Sequence, residues 1–260
     1  MNCKICAHDV TKTLTHTVRT THTAEYMLCP KCDFMFVSNP TWLAEAYSRP
    51  INITDTGYVM RNIFLSRKTL LLFALLFKNK GTFLDYAGGY GMLTRIMRDY
   101  GLNFLWDDPY TENLFSPGFE YTKGAHSTIN AITCFECFEH FVDPLPEIEK
   151  MLHISNTILF STVLKPVDIC PPEQWEYYGF NHGQHTSFYS EKTFRCIAKK
   201  YNLHYYTDGN NLHLLTKKRE LQGILTFVNI LTKLQIDVFV RKLLRSKTTS
   251  DQVMLIKKGF

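Results

Sequence analysis

Several groups of residues in this 260-residue chain are of types and spacings that can do chemistry. Cys3-Lys-Ile-Cys6 and, after 22 intervening residues, Cys29-Pro-Lys-Cys32 can each form a tight turn presenting two thiolates. Two such turns close a tetrahedral Zn²⁺ site, and four thiolates leave no open position for a substrate, so the metal would be structural. Free or redox thiols are the competing reading; His8, His16 and His22 stand by as substitute ligands. A second group is Asp85-Tyr-Ala87-Gly88-Gly89-Tyr-Gly91, between a short apolar run and a helically periodic one. Asp107-Asp108-Pro109 follows about 20 residues later, and a third group, Glu136-Cys-Phe-Glu139-His140, runs into Asp143-Pro144. A fourth holds Trp175, Tyr177 and Tyr178, then His182-Gly-Gln184-His185.

A strand, a glycine turn and a helix N-terminus form the first half of a nucleotide-binding βαβ unit. The glycines let the backbone approach the ligand, and free helical N–H groups point at it. A dinucleotide site favours G-x-G-x-x-G. Here a carboxylate leads the turn, which would repel a diphosphate and suits a cationic amino-acid head group. A glycine turn with no ligand is the bland alternative. An acid at the tip of the next strand is placed to accept hydrogen bonds from ribose hydroxyls. Asp108 is the first choice for that role and Asp107 the fallback; a plain Asp-Asp-Pro turn is the other reading.

At these residues the chain resembles the class I S-adenosylmethionine-dependent methyltransferases, whose first motif reads D-x-G-x-G-x-G. Ala87 stands where the family has its first glycine, and Asp108 matches its acidic position. Glu136 to Pro144 resembles the signature after the family's fourth strand, E-V-x-E-H and then D-P. The resemblance implies that Asp85, Ala87, Gly88, Gly89, Gly91, Asp108 and Glu136 bind S-adenosylmethionine. The stretch Gly183 to Ser190, read G-Q-H-x-S-F-Y-S, resembles methyltransferases of surface-polysaccharide clusters. More distantly it is similar to the H-E-H-x-S-Y segment of deoxysugar C-methyltransferases, which carry an N-terminal four-cysteine zinc domain; Gln184 stands where those have glutamate. On that comparison His185 is the general base, with His140 or His182 as runner-up and Glu139 as the group that orients it. A second-shell or capping role for Glu139 and His140 stays open beside it, as does a lid histidine bonded to backbone for His185. Trp175, Tyr177, Tyr178 and Gln184 would line the acceptor, the aromatics stacking on a sugar face or simply pinning the loop.

The elements that must position these groups follow from periodicity. Thr, His and Val alternate between the cysteine pairs as in a small hairpin. Residues 39–55 read as a linker with a short helix near 41–47, and 57–77 as a helix apolar on most sides. Strands are expected at 82–85, 103–106, weakly at 119–121, and at 129–135, 156–163, 203–206 and 211–216. Helices are expected at 145–152 and, capped by Ser190, at 191–201. Residues 220–245 carry a continuous helical apolar stripe, and 251–257 read as a last edge strand. The fold class is α/β: a Rossmann-like methyltransferase fold with a mostly parallel seven-stranded sheet, an antiparallel last strand and helices on both faces, plus a small zinc knuckle. The corresponding domains are 1–40 (zinc module), 41–80 (linker and helical lead-in) and 81–260 (S-adenosylmethionine-binding domain).

Composition narrows the class. A chain 45% hydrophobic buries a full core, and a net charge of +5 without long blocks permits nucleic acid but does not indicate it. The longest apolar run, Leu70 to Phe77, is far short of a membrane span, and the N-terminus lacks an apolar signal region. Both point to the cytoplasm, where paired cysteines mean metal more often than disulfide. The 220–245 stripe is foremost a packing helix, with a membrane surface or a second copy as the other contacts it could make. The leading expectation is methyl transfer to a sugar, nucleotide sugar or glycan intermediate. A zinc-ribbon module reading RNA or protein on a degenerate fold is a second reading. A third moves the acceptor to a small molecule, a lipid quinone or a tRNA base.

Overall fold

A computed structural model describes residues 1–48, 55–125, 128–168 and 171–259. Residues 49–54 of the expected linker and 126–127 of the expected loop lie outside the described residues. In chain order the elements are β1 (Thr11–Val18), β2 (His22–Leu28), β3 (Met35–Val37), α1 (Leu43–Ala46), α2 (Tyr58–Phe77), β4 (Thr82–Tyr86), α3 (Met92–Asp99) and β5 (Asn103–Asp107). Then come β6 (Ala131–Phe135), α4 (Pro144–Ile154), β7 (Thr157–Ser161), β8 (Ser187–Phe188), α5 (Glu191–Lys200), β9 (His204–Thr207) and β10 (Leu212–Thr216). Three helices close the chain: α6 (Ile224–Lys233), α7 (Ile236–Lys242) and α8 (Thr248–Lys257). The chain divides into two compact units, Met1–Asn52 with Phe135–Glu220, and Ile53–Cys134 with Leu221–Phe260. Six strands carry the α/β part of the fold, three in each unit.

In the first unit β1 and β2 form the expected antiparallel hairpin, which β3 extends. The fourth strand of this sheet is β8, paired to β3 through Met35↔Phe188 and Phe36↔Ser187. At two residues β8 is too short to announce itself by alternation. Tyr26, Met35, Val37, Trp42, Tyr178 and Phe188 form the core above this sheet. Elsewhere in the unit β10 runs antiparallel between β7 and β9. The antiparallel strand is therefore β10 and not the expected last strand at 251–257, and among the described residues the α/β part has six strands where seven are expected. Ser190 caps α5 with its side chain on the Thr193 N–H, and Thr193 returns the bond, as the sequence predicts.

In the second unit β4 pairs in parallel with β5, from Thr82↔Asn103 to Tyr86↔Asp107, and with β6. The weak strand expected at 119–121 is a single parallel bridge from Glu120 to Trp106. Helix α2 buries Leu70, Leu71, Leu72 and Phe73, the last stacked among Phe83 and Phe104. Each such side chain contributes roughly 1.5–3 kcal/mol of burial. Two expectations are corrected here. The 220–245 stripe is broken into α6 and α7 at Gln235, which lies in the left-handed region with φ 57°. The break is held by Arg67, which donates to the Thr232 carbonyl (3.0 Å) and to the Asp237 carboxylate (2.9 Å). Residues 251–257 are α8 and not a strand: buried Asp251 accepts from Arg98 (2.7 and 2.8 Å) and Arg95 (2.9 Å), a partner set that alternation cannot reveal.

The glycine loop follows β4. Gly91 has φ 82°, and a Cβ there would run into Asn113 and Ser116, so only glycine fits. Ala87 has φ 54°, a left-handed conformation that costs a side-chain-bearing residue about 1 kcal/mol. Ala87→Gly should therefore leave stability unchanged or raise it by up to about 1 kcal/mol, where glycine inside an element would lower it. Urea denaturation checks this, and a clear loss of stability would contradict the assigned backbone strain.

Candidate functional site

The four N-terminal thiols converge. Their sulfur atoms lie within 4.8 Å of one another, with Cys3–Cys32 and Cys6–Cys29 both at 3.5 Å. A tetrahedral site with Zn–S bonds of about 2.3 Å requires edges of about 3.8 Å, which falls between the 3.5 Å pairs and the 4.8 Å limit, so the residues present fit the ion. Three of the four are buried, and the Cys29 sulfur accepts the Cys32 N–H, the bond that folds a knuckle turn. Two of the three histidines held in reserve have other contacts. His22 contacts Glu45 and His16 stacks on Phe180. Cys134 and Cys137, whose spacing repeats the motif, are buried packing residues.

The glycine loop is braced on every side within its own unit. Gly89 donates its N–H to Asp108 Oδ2 (2.9 Å), and its carbonyl accepts from Trp106 Nε1 (2.8 Å) and the Thr111 hydroxyl (2.7 Å). Asp108 Oδ1 accepts the Tyr110 N–H (2.8 Å), so this acid spans from the loop to its own turn. Each oxygen keeps a further lone pair for a ligand. Gly88 sits where a Cβ would be 2.8 Å from Trp106 Cδ1 and 2.9 Å from Asp85 Oδ2. Tyr58 and Tyr90 meet edge to face beside the loop, 6.4 Å between centroids. Trp106, Thr111, Tyr58 and Tyr90 are loop-bracing residues the sequence did not single out. For Trp106 the signal was there, one residue before the acidic pair at the strand tip.

Asp85 faces inward. Register places it between Trp106 and Thr133, and its two oxygens accept from Thr133 (2.9 Å) and Thr94 (3.2 Å). Burial pushes its pKa up to about 7, against the two hydroxyl bonds, and the Asp108 charge adds to the rise. The sign follows from linkage. The folded chain binds the proton more tightly than the unfolded chain, so stability falls as pH rises from about 4 to about 7 and is level above. Asp85→Asn removes this slope. Its gain over the parent should grow across that window to at most about 4 kcal/mol, with Thr94 free to turn to the Leu105 carbonyl (3.5 Å). Melting curves at pH 4 and pH 8 measure it; a gain independent of pH would refute the assignment.

In the other unit the structure gathers Glu139, His140, His182 and His185. One ligand-type atom from each of Glu139, His140 and His185 lies within 4.8 Å of the others, close enough to share a cation. The His185 ring is 5.0 Å from His140 and 4.7 Å from His182, centroid to centroid. His185 Nδ1 donates to the Tyr177 carbonyl (2.6 Å); a carbonyl only accepts, so the hydrogen is on Nδ1 and Nε2 keeps its lone pair. His140 Nδ1 likewise meets the Gln184 carbonyl (3.1 Å) and the Tyr47 hydroxyl (2.8 Å). His182 Nδ1 instead accepts the Gln184 N–H (3.1 Å), so its proton is on Nε2. Burial lowers all three, His182 to about 4 and His185 well below the ordinary range, so the three rings are neutral near pH 7.

The remaining residues of the set are placed as follows. Glu136 has φ 52°, donates its N–H to Ser161 Oγ (2.9 Å) and accepts the same hydroxyl at Oε1 (2.6 Å). Gln184 is buried and donates its amide to the Ala46 carbonyl (3.0 Å), a structural tie in place of an acceptor contact. Tyr178 is 1% exposed, inside the core of the knuckle sheet, and has no face to offer a sugar. Tyr177 bonds Thr162 and the Val163 N–H through its hydroxyl (both 3.1 Å), and Trp175 packs against Tyr178 and Phe188. Tyr47, which the sequence did not mark, joins the histidine cluster from the far side of the chain.

The profile of the family described as a methyltransferase domain matches residues 60–207. No curated protein matches the sequence. Among solved structures, CalO1, a methyltransferase in calicheamicin biosynthesis in its SAH-bound form, is similar at 11% identity and TM-score 0.42, over 59% of this chain and 54% of that one. The plantazolicin methyltransferase BpumL with a desmethylPZN analog and SAH is similar at 14% identity and 0.48, over 68% and 93%. The magnesium protoporphyrin IX methyltransferase ChlM from Synechocystis PCC 6803 is similar at 12% and 0.43, over 68% and 94%. The match thus spans about half the length of the first of these.

Proposed function

The chain belongs to the methyltransferase-domain family, and from that premise we propose that it methylates a hydroxyl of a sugar, nucleotide sugar or glycan intermediate of polysaccharide biosynthesis. The observation that carries the acceptor chemistry is the unprotonated Nε2 of a neutral, half-buried His185 beside Glu139 and His140. S-adenosylmethionine, when bound, supplies a methyl group made electrophilic by the sulfonium. The loop at Ala87, Gly88, Gly89 and Gly91 would hold it through backbone, with Asp108 on the ribose. Asp85, in the same unit, would support that loop from beneath. A sugar hydroxyl is a poor nucleophile at neutral pH, so the chain's part is to orient it and accept its proton. His185 Nε2 takes that proton, and the Glu139 carboxylate offsets the charge the ring acquires. His140, with the same Nδ1 pattern, is the alternate base.

The first 40 residues would serve as a structural zinc module, 41–80 as lead-in and 81–260 as the catalytic domain. Four thiolates that hold zinc fit a reducing compartment, and the cytoplasm is the location this reading assigns. The structural relatives are named for calicheamicin biosynthesis, plantazolicin and magnesium protoporphyrin IX, so they favour no acceptor class. Calorimetry with S-adenosylmethionine followed by labelled methyl transfer to a panel of nucleotide sugars tests the reading. Heat of binding and label in one sugar support it. Absence of heat favours the zinc-ribbon module on a degenerate fold, and heat without sugar labelling moves the acceptor to another small molecule, a quinone or RNA.

A further inference from the structure

Helix α6 is apolar on both sides. It turns Leu225 and Val228 into the core of its unit, while Phe227, Ile230 and Leu234, spaced i, i+3 and i+7, stay exposed. Helix α7 continues the pattern with Phe239 and Leu243 at i and i+4; Leu234, Phe239 and Leu243 are 64, 63 and 85% exposed. Between residues 221 and 259 the chain holds seven lysines and arginines against two acids. Both acids are removed from the surface: Asp237 is buried against Arg67, and Asp251 against Arg95 and Arg98. The outer side of this segment therefore combines large apolar side chains with positive charge that nothing in the segment offsets.

We propose that α6 and α7 lie flat on an anionic phospholipid surface, with Phe227, Ile230, Leu234, Phe239 and Leu243 entering the headgroup boundary and the flanking lysines and arginines meeting lipid phosphates. Charge complementarity selects the lipid over a second copy of the chain. A two-fold contact through this face would bring like charge against like charge, whereas an anionic leaflet attracts both halves of the pattern. No described helix is long and apolar enough to cross a membrane, so the contact is peripheral. This goes beyond the catalytic reading, and its test does not use methyl transfer.

Flotation of the full chain with phosphatidylcholine vesicles, with and without phosphatidylglycerol, is the experiment. Binding is expected to the anionic vesicles, weakening steeply between about 0.1 and 1 M salt as the Debye length shrinks from ~10 to ~3 Å. Leu243→Asp should weaken partition about tenfold or more, and Lys242→Glu should flatten the salt dependence. Both positions are exposed, so unchanged melting curves would show that the variants fold. Binding to neither vesicle, or equal binding to both at all salt concentrations, would overturn the proposal. So would a concentration-dependent dimer by light scattering that Leu243→Asp abolishes.

Discussion

His185→Ala is expected to lower the rate of methyl transfer at saturating acceptor by about 10²–10⁴-fold, the contribution of a positioned general base, while the heat of S-adenosylmethionine binding stays unchanged. The split follows from the geometry. The ring is oriented by one strong bond from Nδ1 to the Tyr177 carbonyl, and its contacts lie wholly within the unit that carries the cluster. The glycine loop is braced by residues of the other unit. A pH profile separates a base from a structural histidine. Burial and the neighbouring histidines hold His185 well below 6.5, so activity should stay level from pH 8 down to about 6 and fall only in more acid solution, where the ring finally protonates. A profile that falls through 6.5 would assign the proton to an unburied group. His140→Ala should cost less, since it leaves Nε2 of His185 in place. Near-normal turnover in His185→Ala would transfer the role to His140 and overturn the proposed base.

Loss of the four-cysteine site should also damage transfer, less steeply and for a different reason. Purified protein is expected to carry about one equivalent of zinc; less than about half would sink the metal assignment. Cys29→Ser should lose the ion and destabilise its unit by some fraction of the ~10–16 kcal/mol that structural zinc binding represents. The damage should spread to the histidine cluster, because the knuckle is stitched to it. Cys32 accepts from Thr193 (2.9 Å), the Val37 N–H bonds the Thr186 carbonyl (2.9 Å), and the Thr186 N–H bonds the Glu139 carbonyl (2.8 Å). Lys4, inside the first cysteine turn, reaches the Val142 carbonyl (2.7 Å) and Asp143 (3.3 Å). Transfer should therefore fall at least about tenfold as the cluster loosens, while S-adenosylmethionine still binds. If transfer survives zinc removal intact, the knuckle is independent of the cluster and the stitching carries no function.

What the chain declares by itself is local. Cysteine spacing, the carboxylate-led glycine turn and the capping of α5 by Ser190 each depend on residues a few positions apart, so composition and order suffice. The strands at 82–86, 103–107, 131–135 and 157–161 were readable because buried strands are short apolar runs with turn signals at their ends. Elsewhere apolar periodicity misled. It reports which face is apolar and not what the face meets, so α8 read as a strand and the break at Gln235 was invisible until Arg67, far back in α2, was seen to hold it. The pairing of β8 with β3 joins positions about 150 residues apart through two residues of strand. No window could show that Ser187 and Phe188, just after the histidine segment, form a strand of the knuckle sheet, or that Tyr178 lies in its core. The proton positions on His185, His140 and His182 depend on carbonyl and amide groups brought to each ring by the fold. Which nitrogen can accept a proton is thus a property of tertiary structure, although the presence of three histidines was plain from the sequence.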